Sequence, residues 1–392
     1  MKRIIIFALA LSIVCCSISF TSATYNTVKK TINILLDDQF KALMYIDTIG
    51  EIKIQFDITT QITYFTSPEC SNCKLYANEN EITPYKCLSQ NNCVKVREFD
   101  GLYLDGNYIL SGDIIAIPMI LDGTIFYLEE VYHIKQIVPL LQNPQAYLSQ
   151  KIGLLLKSDS GDFKKKTISN IYTSLFGQGK IDIITYSLYY ADSNYHLTIP
   201  EYDSKLQYKP FYDVVTGYHQ LYETKTYLTS SVNLNFSDQQ IVDSVTLYID
   251  PTFEDSMFVF NESIFEGFKK VINEKRLQPD LSFFTPNYPS GEWSDLVEEF
   301  NFGLGIKTSP FGTDIPQPQF LFIEYSADEF MEHKENYYTL KVLFETFVSG
   351  LKLGKRIFKK FLYYVHEDTN GKYIYSLTPL KPQKAFRSGI QN

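Results

Sequence analysis

The chain has 392 residues, 45% of them apolar and 21% charged, a balance that excludes a disordered, collagen-like or multi-span membrane protein. Tyr (30) and Phe (29) outnumber Gly (19), which favours pleated, half-buried strands. The net charge of −9 and pI near 5.2 leave no surplus of basic residues for a nucleic-acid partner. The length allows two domains or one large β-rich unit.

In chain order, residues 1–23 have the pattern of a secretory signal. Lys2 and Arg3 form a basic start, Ile4 to Cys16 an apolar run, and Thr21-Ser22-Ala23 a small-residue cleavage site. Its removal takes the net charge from −9 to −11 with the loss of Lys2 and Arg3. No later stretch reaches the roughly 20 apolar residues of a membrane helix, so no transmembrane segment is expected after processing. The expected location is secreted or lumenal, a vacuole or lysosome included.

Strand-length runs follow at Glu51–Asp57, Ile82–Tyr85, Tyr108–Leu121, Ile181–Tyr190, Ser244–Asp250 and Gln319–Tyr325. Helical spacing is confined to Tyr132–Leu148, Ile168–Phe176 and Glu262–Glu274, so an all-β fold with few short helices is expected. Cys70, Cys73, Cys87 and Cys93 predict two local disulfides in an exported chain, with three pairings open; a zinc site is the weaker alternative. Asn235-Phe-Ser237 and Asn261-Glu-Ser263 are glycosylation sequons. An apolar strand ending in Asp occurs twice, as Ile54-Gln-Phe-Asp57 and Leu247-Tyr-Ile-Asp250, as two related lobes would produce. Asp is also a common strand terminator.

Read from Asp57, the stretch FDITTQITYFTSPECSNC resembles the first catalytic segment of the pepsin-like aspartic peptidases. The resemblance puts Asp57 in the catalytic place, Thr60 as its hydroxyl partner, Tyr64 beside the flap and Cys70 at the first loop disulfide. Tyr103-Leu-Asp-Gly-Asn107 looks like the flap hairpin of members with a cysteine-rich first lobe, Tyr103 being the flap tyrosine. Ser174 to Ile181, Tyr186-Ser-Leu188 and His196 to Ile199 run parallel to strands at the end of the first lobe. Gly217 to Leu221, Ile249-Asp250, the helix-like run after Phe258, Leu351-Lys-Leu-Gly354, Phe361 to Val365 and Tyr373 to Leu377 are similar to second-lobe landmarks. Asp250 is the second candidate carboxylate, with Asp255 an outside alternative.

This resemblance, over roughly residues 45–380, implies a bilobal fold around a central cleft, with lobes at 24–205 and 206–392. It implies an extended peptide or protein as partner, a monomer, and no cofactor or metal. In that mechanism two carboxyls share a proton across a water, which attacks the peptide carbonyl under acid conditions.

The departures bear on activity. Ile58 and Pro251 stand where the family has Thr; Ile lacks a hydroxyl, and Pro lacks both a hydroxyl and an N–H. Thr59 and Thr252 replace the following Gly. The glycine expected seven residues after Tyr103 is Leu110, with Gly112 two places late. The expectation is therefore weak or absent peptidase activity, with Thr hydroxyls replacing lost hydrogen bonds in a slow enzyme as the milder outcome. The alternative function is an inactive pseudopeptidase that binds peptide or protein, or inhibits. The five scattered histidines show no zinc spacing, and no Gly-x-Ser-x-Gly is present. The basic cluster Lys352, Lys355, Arg356, Lys359 and Lys360 reads as a solvated face.

Overall fold

The structure is a computed structural model. It describes residues 31–46, 50–76, 84–104, 107–140, 150–156, 170–200, 212–213, 217–222, 225–236, 239–250, 258–260, 284–285, 288–291, 301–310, 319–326, 331–334, 337–340, 342–344, 351–367 and 373–380. Contacts divide the chain into residues 1–30 and 31–392, and every described residue lies in the second unit. The expected signal at 1–23, the expected helix at 262–274, Asn261, Asp255, Pro251 and Thr252 lie outside the described residues.

Strands make up 61% of the described residues, in agreement with the all-β expectation. The first half contributes β1 (Ile32–Leu36), β2 (Lys41–Ile46), β3 (Gly50–Asp57), β4 (Thr63–Thr66), β5 (Val94–Leu104), β6 (Tyr108–Leu121), β7 (Thr124–Pro139), β8 (Lys151–Gly153), β9 (Tyr186–Ala191) and β10 (Asn194–Ile199). Seven of these form one sheet in the order β2-β3-β8-β4-β7-β6-β5, and an extra pairing of β2 with β6 curls it back on itself. The hairpin β2–β3 shows why: Ala42, Met44 and Ile46 alternate inward, and Ile52, Ile54 and Phe56 do the same on the partner strand.

The second half contributes β11 (Tyr212–Asp213), β12 (Gly217–Tyr222), β13 (Lys225–Phe236), β14 (Gln239–Ile249), β15 (Phe258–Phe260), β16 (Phe284–Thr285), β17 (Tyr288–Gly291), β18 (Asn301–Pro310) and β19 (Gln319–Ser326). It ends with β20 (Met331–Lys334), β21 (Tyr337–Leu340), β22 (Val342–Phe344), β23 (Leu351–Leu353), β24 (Phe361–Glu367) and β25 (Tyr373–Pro379). A 14-stranded sheet joins both halves of the chain, running β1-β10-β9-β24-β25-β11-β18-β13-β14-β23-β15-β22 with β12 and β19 to the side, and a four-stranded sheet holds β16, β17, β21 and β20. Phe40 ties the two halves, its ring 4.6 Å from Tyr195 and 5.8 Å from Phe358.

Two helices occur among the described residues, α1 (Ile171–Gly177) and α2 (Ile357–Lys360). Asn170 caps α1, accepting from the N–H groups of Tyr172 and Thr173 while Thr173 Oγ1 accepts from Asn170 N–H, a reciprocal capping box. Of the helix expected at Ile168–Phe176, residues 168–169 lie outside the described residues and α1 runs from Ile171 to Gly177, so that Ser174–Gly177 of the strand-like landmark 174–181 belongs to it.

The helix expected over Tyr132–Leu148 does not form where the structure describes it: Tyr132–Pro139 continues β7, paired with β6 from Leu121↔Thr124 to Tyr108↔Pro139. Its β-branched Ile134, Ile137 and Val138 suit a pleat, and the antiparallel ladder along this sixteen-residue strand outweighs helical spacing. Tyr85 lies in irregular chain rather than a strand, and the strand expected from Ile181 starts at Tyr186. The basic cluster is not wholly solvated either, since Lys355 is buried and its Nζ donates to Asp38 O.

The four cysteines pair locally, Cys70 with Cys73 and Cys87 with Cys93, as expected. A compact cluster of Ile62, Tyr64, Leu102, Leu104, Tyr108 and Leu110 packs on the Cys70–Cys73 bridge. It seats the β5–β6 hairpin, in which Leu104 pairs with Tyr108. The displaced glycine in this hairpin, Gly112, sits at a register shift on the β6–β7 side, and a Cβ there would meet His133 O at 2.1 Å.

Gly153 is the tightest point beneath the loop after β3. A Cβ at this position would lie 2.5 Å from Gln61 C, 2.7 Å from Ile62 N and 2.7 Å from Thr60 O, all backbone atoms that cannot rotate away. Gly153→Ala is therefore expected to lower stability by about 1–3 kcal/mol or more, read as a reduced urea midpoint; an unchanged midpoint would show that the loop yields freely.

Candidate functional site

Asp57 ends β3, which lies between β2 and β8 in the curled sheet. Its neighbours Phe56, Ile58 and Thr59 are buried, and so is the carboxylate. β3 and β8 run parallel, with Gln55 opposite Lys151 and Asp57 opposite Gly153. In such a pair, residues two apart along the strand share a face, so Lys151 and Asp57 lie on the same side. Lys151 Nζ is 2.8 Å from Asp57 Oδ2, with the two side chains only 11% and 3% exposed.

The other carboxylate oxygen is also engaged. Thr59 N–H donates to Asp57 Oδ1 at 2.8 Å, and the Thr59 hydroxyl donates to the same oxygen at 2.6 Å. Thr59 is accommodated in this turn, and both its N–H and its hydroxyl are spent on the Asp57 carboxylate. The loop is pinned beyond this point. Leu154 N–H donates to Asp57 O, Leu155 N–H to Thr60 O, and Ile62 N–H to Thr60 Oγ1. Gly153 N–H donates to Thr63 Oγ1. Ile58 contributes no hydroxyl, yet the described loop is fixed by these bonds and by burial.

Thr60 therefore serves its own turn and the strand β8 extension rather than the Asp57 carboxylate. Tyr64 lies in the cluster beneath the hairpin, with Leu102 and Leu104 facing it. Tyr103 alternates with those two leucines and is 48% exposed, on the opposite face of β5. Asp250 follows β14 and is fully buried. Asn235 lies within β13, its backbone opposite Gln240 and Gly303 on either side.

The sequence reading misses Lys151 and Gly153. A signal was available, because Lys151-Ile152-Gly153 repeats as Lys352-Leu353-Gly354. The register repeats with it: β14 runs parallel to β23 with Tyr248 opposite Lys352 and Ile249 opposite Leu353. Each Asp thus follows a strand whose parallel neighbour carries Lys-apolar-Gly at the same offset. A lysine opening a short strand reads as a surface residue in isolation, which is why its role is invisible without the pairing.

Comparison with protein-family models and with curated proteins finds no match to this chain. Among the described residues, no helix is long and apolar enough to cross a membrane.

Breaking a buried ion pair by removing one partner strands the other charge, at a cost of about 3–5 kcal/mol, whereas removing both is far cheaper. Lys151→Met should lower unfolding free energy by that amount, and Asp57→Asn combined with Lys151→Met should cost much less than the two single changes together. Urea unfolding of the four proteins checks this; strict additivity would mean that the contact is not an energetic unit.

Proposed function

We propose that the chain is an exported homologue of the pepsin-like aspartic peptidases whose two-Asp cleft receives an extended peptide or protein segment, with hydrolysis weak or absent. What supports the homology is the ordered set of sequence landmarks together with the repeated parallel register that ends at Asp57 and at Ile249. Two related lobes, residues 24–205 and 206–392 behind a signal at 1–23, account for that repeat. Two local disulfides suit an oxidising destination, where Asn235 and Asn261 would be open to glycosylation.

The single observation that carries the functional reading is the state of Asp57. The aspartic mechanism needs a carboxyl that exchanges a proton with an attacking water. Here Oδ2 faces an ammonium at 2.8 Å and Oδ1 accepts two bonds from Thr59. A carboxylate held in this way by a counter-charge and two donors is ill suited to trade a proton with a water, as the proposed dyad with Asp250 would require. Ligand binding does not need that proton, which favours retention of the cleft as a binding or inhibitory module.

Incubating the purified protein with a peptide library from about pH 3 to 7, followed by mass spectrometry, tests the reading. The expected result is peptides recovered intact, with any cleavage no greater than in Asp57→Ala. Robust pepstatin-sensitive cleavage that disappears in Asp57→Ala would overturn it and establish a working peptidase.

A further inference from the structure

His133 lies on β7, buried beneath the disulfide-closed segment 84–93, and stands apart from Asp57 in the hydrogen-bond network. Its Nε2–H donates to Tyr85 O at 2.7 Å, while Tyr85 N–H donates to Thr66 O at 2.8 Å. The backbone of Tyr85 is thus held from both sides. The Tyr85 ring is fully buried, edge-on to the imidazole at 5.9 Å and 5.9 Å from the Phe65 ring. Cys87–Cys93 then closes the segment into a loop that leads directly into β5.

The second imidazole nitrogen decides what this arrangement does. His133 Nδ1 is buried and has no hydrogen-bond partner among the described residues. Its carbonyl-bound tautomer is complete at one end and vacant at the other, so a second proton would create a buried N–H with nothing to accept it.

The charged groups around it offer no remedy. Asp113, opposite His133 on β6, is held at 2.8 Å by Lys95 from β5 and at 3.0 Å by Lys135 from β7. Glu69, in the turn after β4, is paired with Lys135, and Glu98 with Lys95. Burial drives the Asp113 carboxyl up, but the bonds from the two lysines outweigh it and hold it below the ordinary range. Around His133 itself, burial is the leading influence and pushes its pKa below the ordinary value; the bond to Tyr85 O, Asp113 and Glu69 oppose this, and Lys135 adds to it. Tyr85, pushed up to about 12 by burial, stays neutral throughout.

We propose that His133 is an acid-release latch: neutral, it clamps the Tyr85 to Cys93 loop onto β4 and β7; protonated, it frees that loop and the start of β5. The sign follows from linkage. The unfolded imidazole takes up protons near its ordinary pKa, above that of the folded one, so loop docking is complete above roughly pH 6.5 and weakens as pH falls. Release uncovers the Tyr85 and Phe65 rings, both fully buried in the docked form.

Hydrogen exchange read by mass spectrometry on the intact, oxidised chain tests this at about pH 7.5 and 5.0, after correction for intrinsic rates. Peptides spanning 84–93 should lose protection in acid, by up to about tenfold per pH unit below roughly pH 6.5, while the β2–β3 hairpin holds. His133→Gln keeps a neutral donor to Tyr85 O and should remove the acid loss. Unchanged wild-type protection, or an acid loss that persists in His133→Gln, overturns the proposal. Should that variant not fold, an NMR titration of His133 in the wild type decides: a midpoint below about 6.5, coincident with loop opening, supports the latch. An ordinary midpoint with no change in the loop refutes it.

Discussion

The loop from Asp57 to Thr63 can keep its shape only because a carboxylate, an ammonium and a glycine meet at one place. β3 delivers Asp57 to the buried side of the curled sheet, where an ionised carboxylate costs several kcal/mol unless it is paired and hydrogen-bonded. Lys151 supplies the charge and Thr59 the hydrogen bonds. Gly153, two residues beyond Lys151, leaves room for the backbone of Thr60, Gln61 and Ile62 to cross β8. Lys and Gly are therefore coupled requirements of one short strand: the register that puts Gly153 beside the loop also puts Lys151 on the carboxylate's face.

The same register recurs where β14 meets β23, with Lys352 and Leu353 standing opposite Tyr248 and Ile249. In the first half the curled sheet completes this arrangement by letting β2 touch β6, which shields the inward residues of β2 and β3 on both sides.

Much of the fold was legible because alternation is a local property. Glu51–Asp57 and Tyr108–Leu121 coincide with β3 and β6 to within a residue: Ile52, Ile54 and Phe56 alternate inward on β3, and β6 is rich in buried Ile and Leu. The capped start of α1 was less legible: Asn170 reads only as a loop residue until Thr173 answers it. Tyr132–Leu148 misled because Ile134, Ile137 and Val138 satisfy a helical and a strand pattern alike, and only the long partner strand β6 settles the choice. At the site, Asp57 and Thr60 could be picked out from a motif, but Lys151 lies 94 positions later, and no local pattern connects an Asp to a lysine that far along the chain. The exposed setting of Tyr103 was likewise hidden, because it depends on which face of β5 its leucine neighbours occupy.

The two buried ionisable centres of the first half bear on acid in complementary ways. Around Asp57, the Lys151 ammonium and two hydrogen bonds from Thr59 engage both carboxylate oxygens. Around His133, the fold takes up an imidazole that must stay neutral, with its nearest carboxylate already divided between Lys95 and Lys135. On the proposed reading neither feature serves acid hydrolysis: a carboxylate held by a counter-ion is a poor proton carrier, and an imidazole that resists protonation would weaken loop docking as pH falls. Both fit the binding module proposed above, in which the proposed latch would change the surface around Tyr85 in acid without any catalytic step.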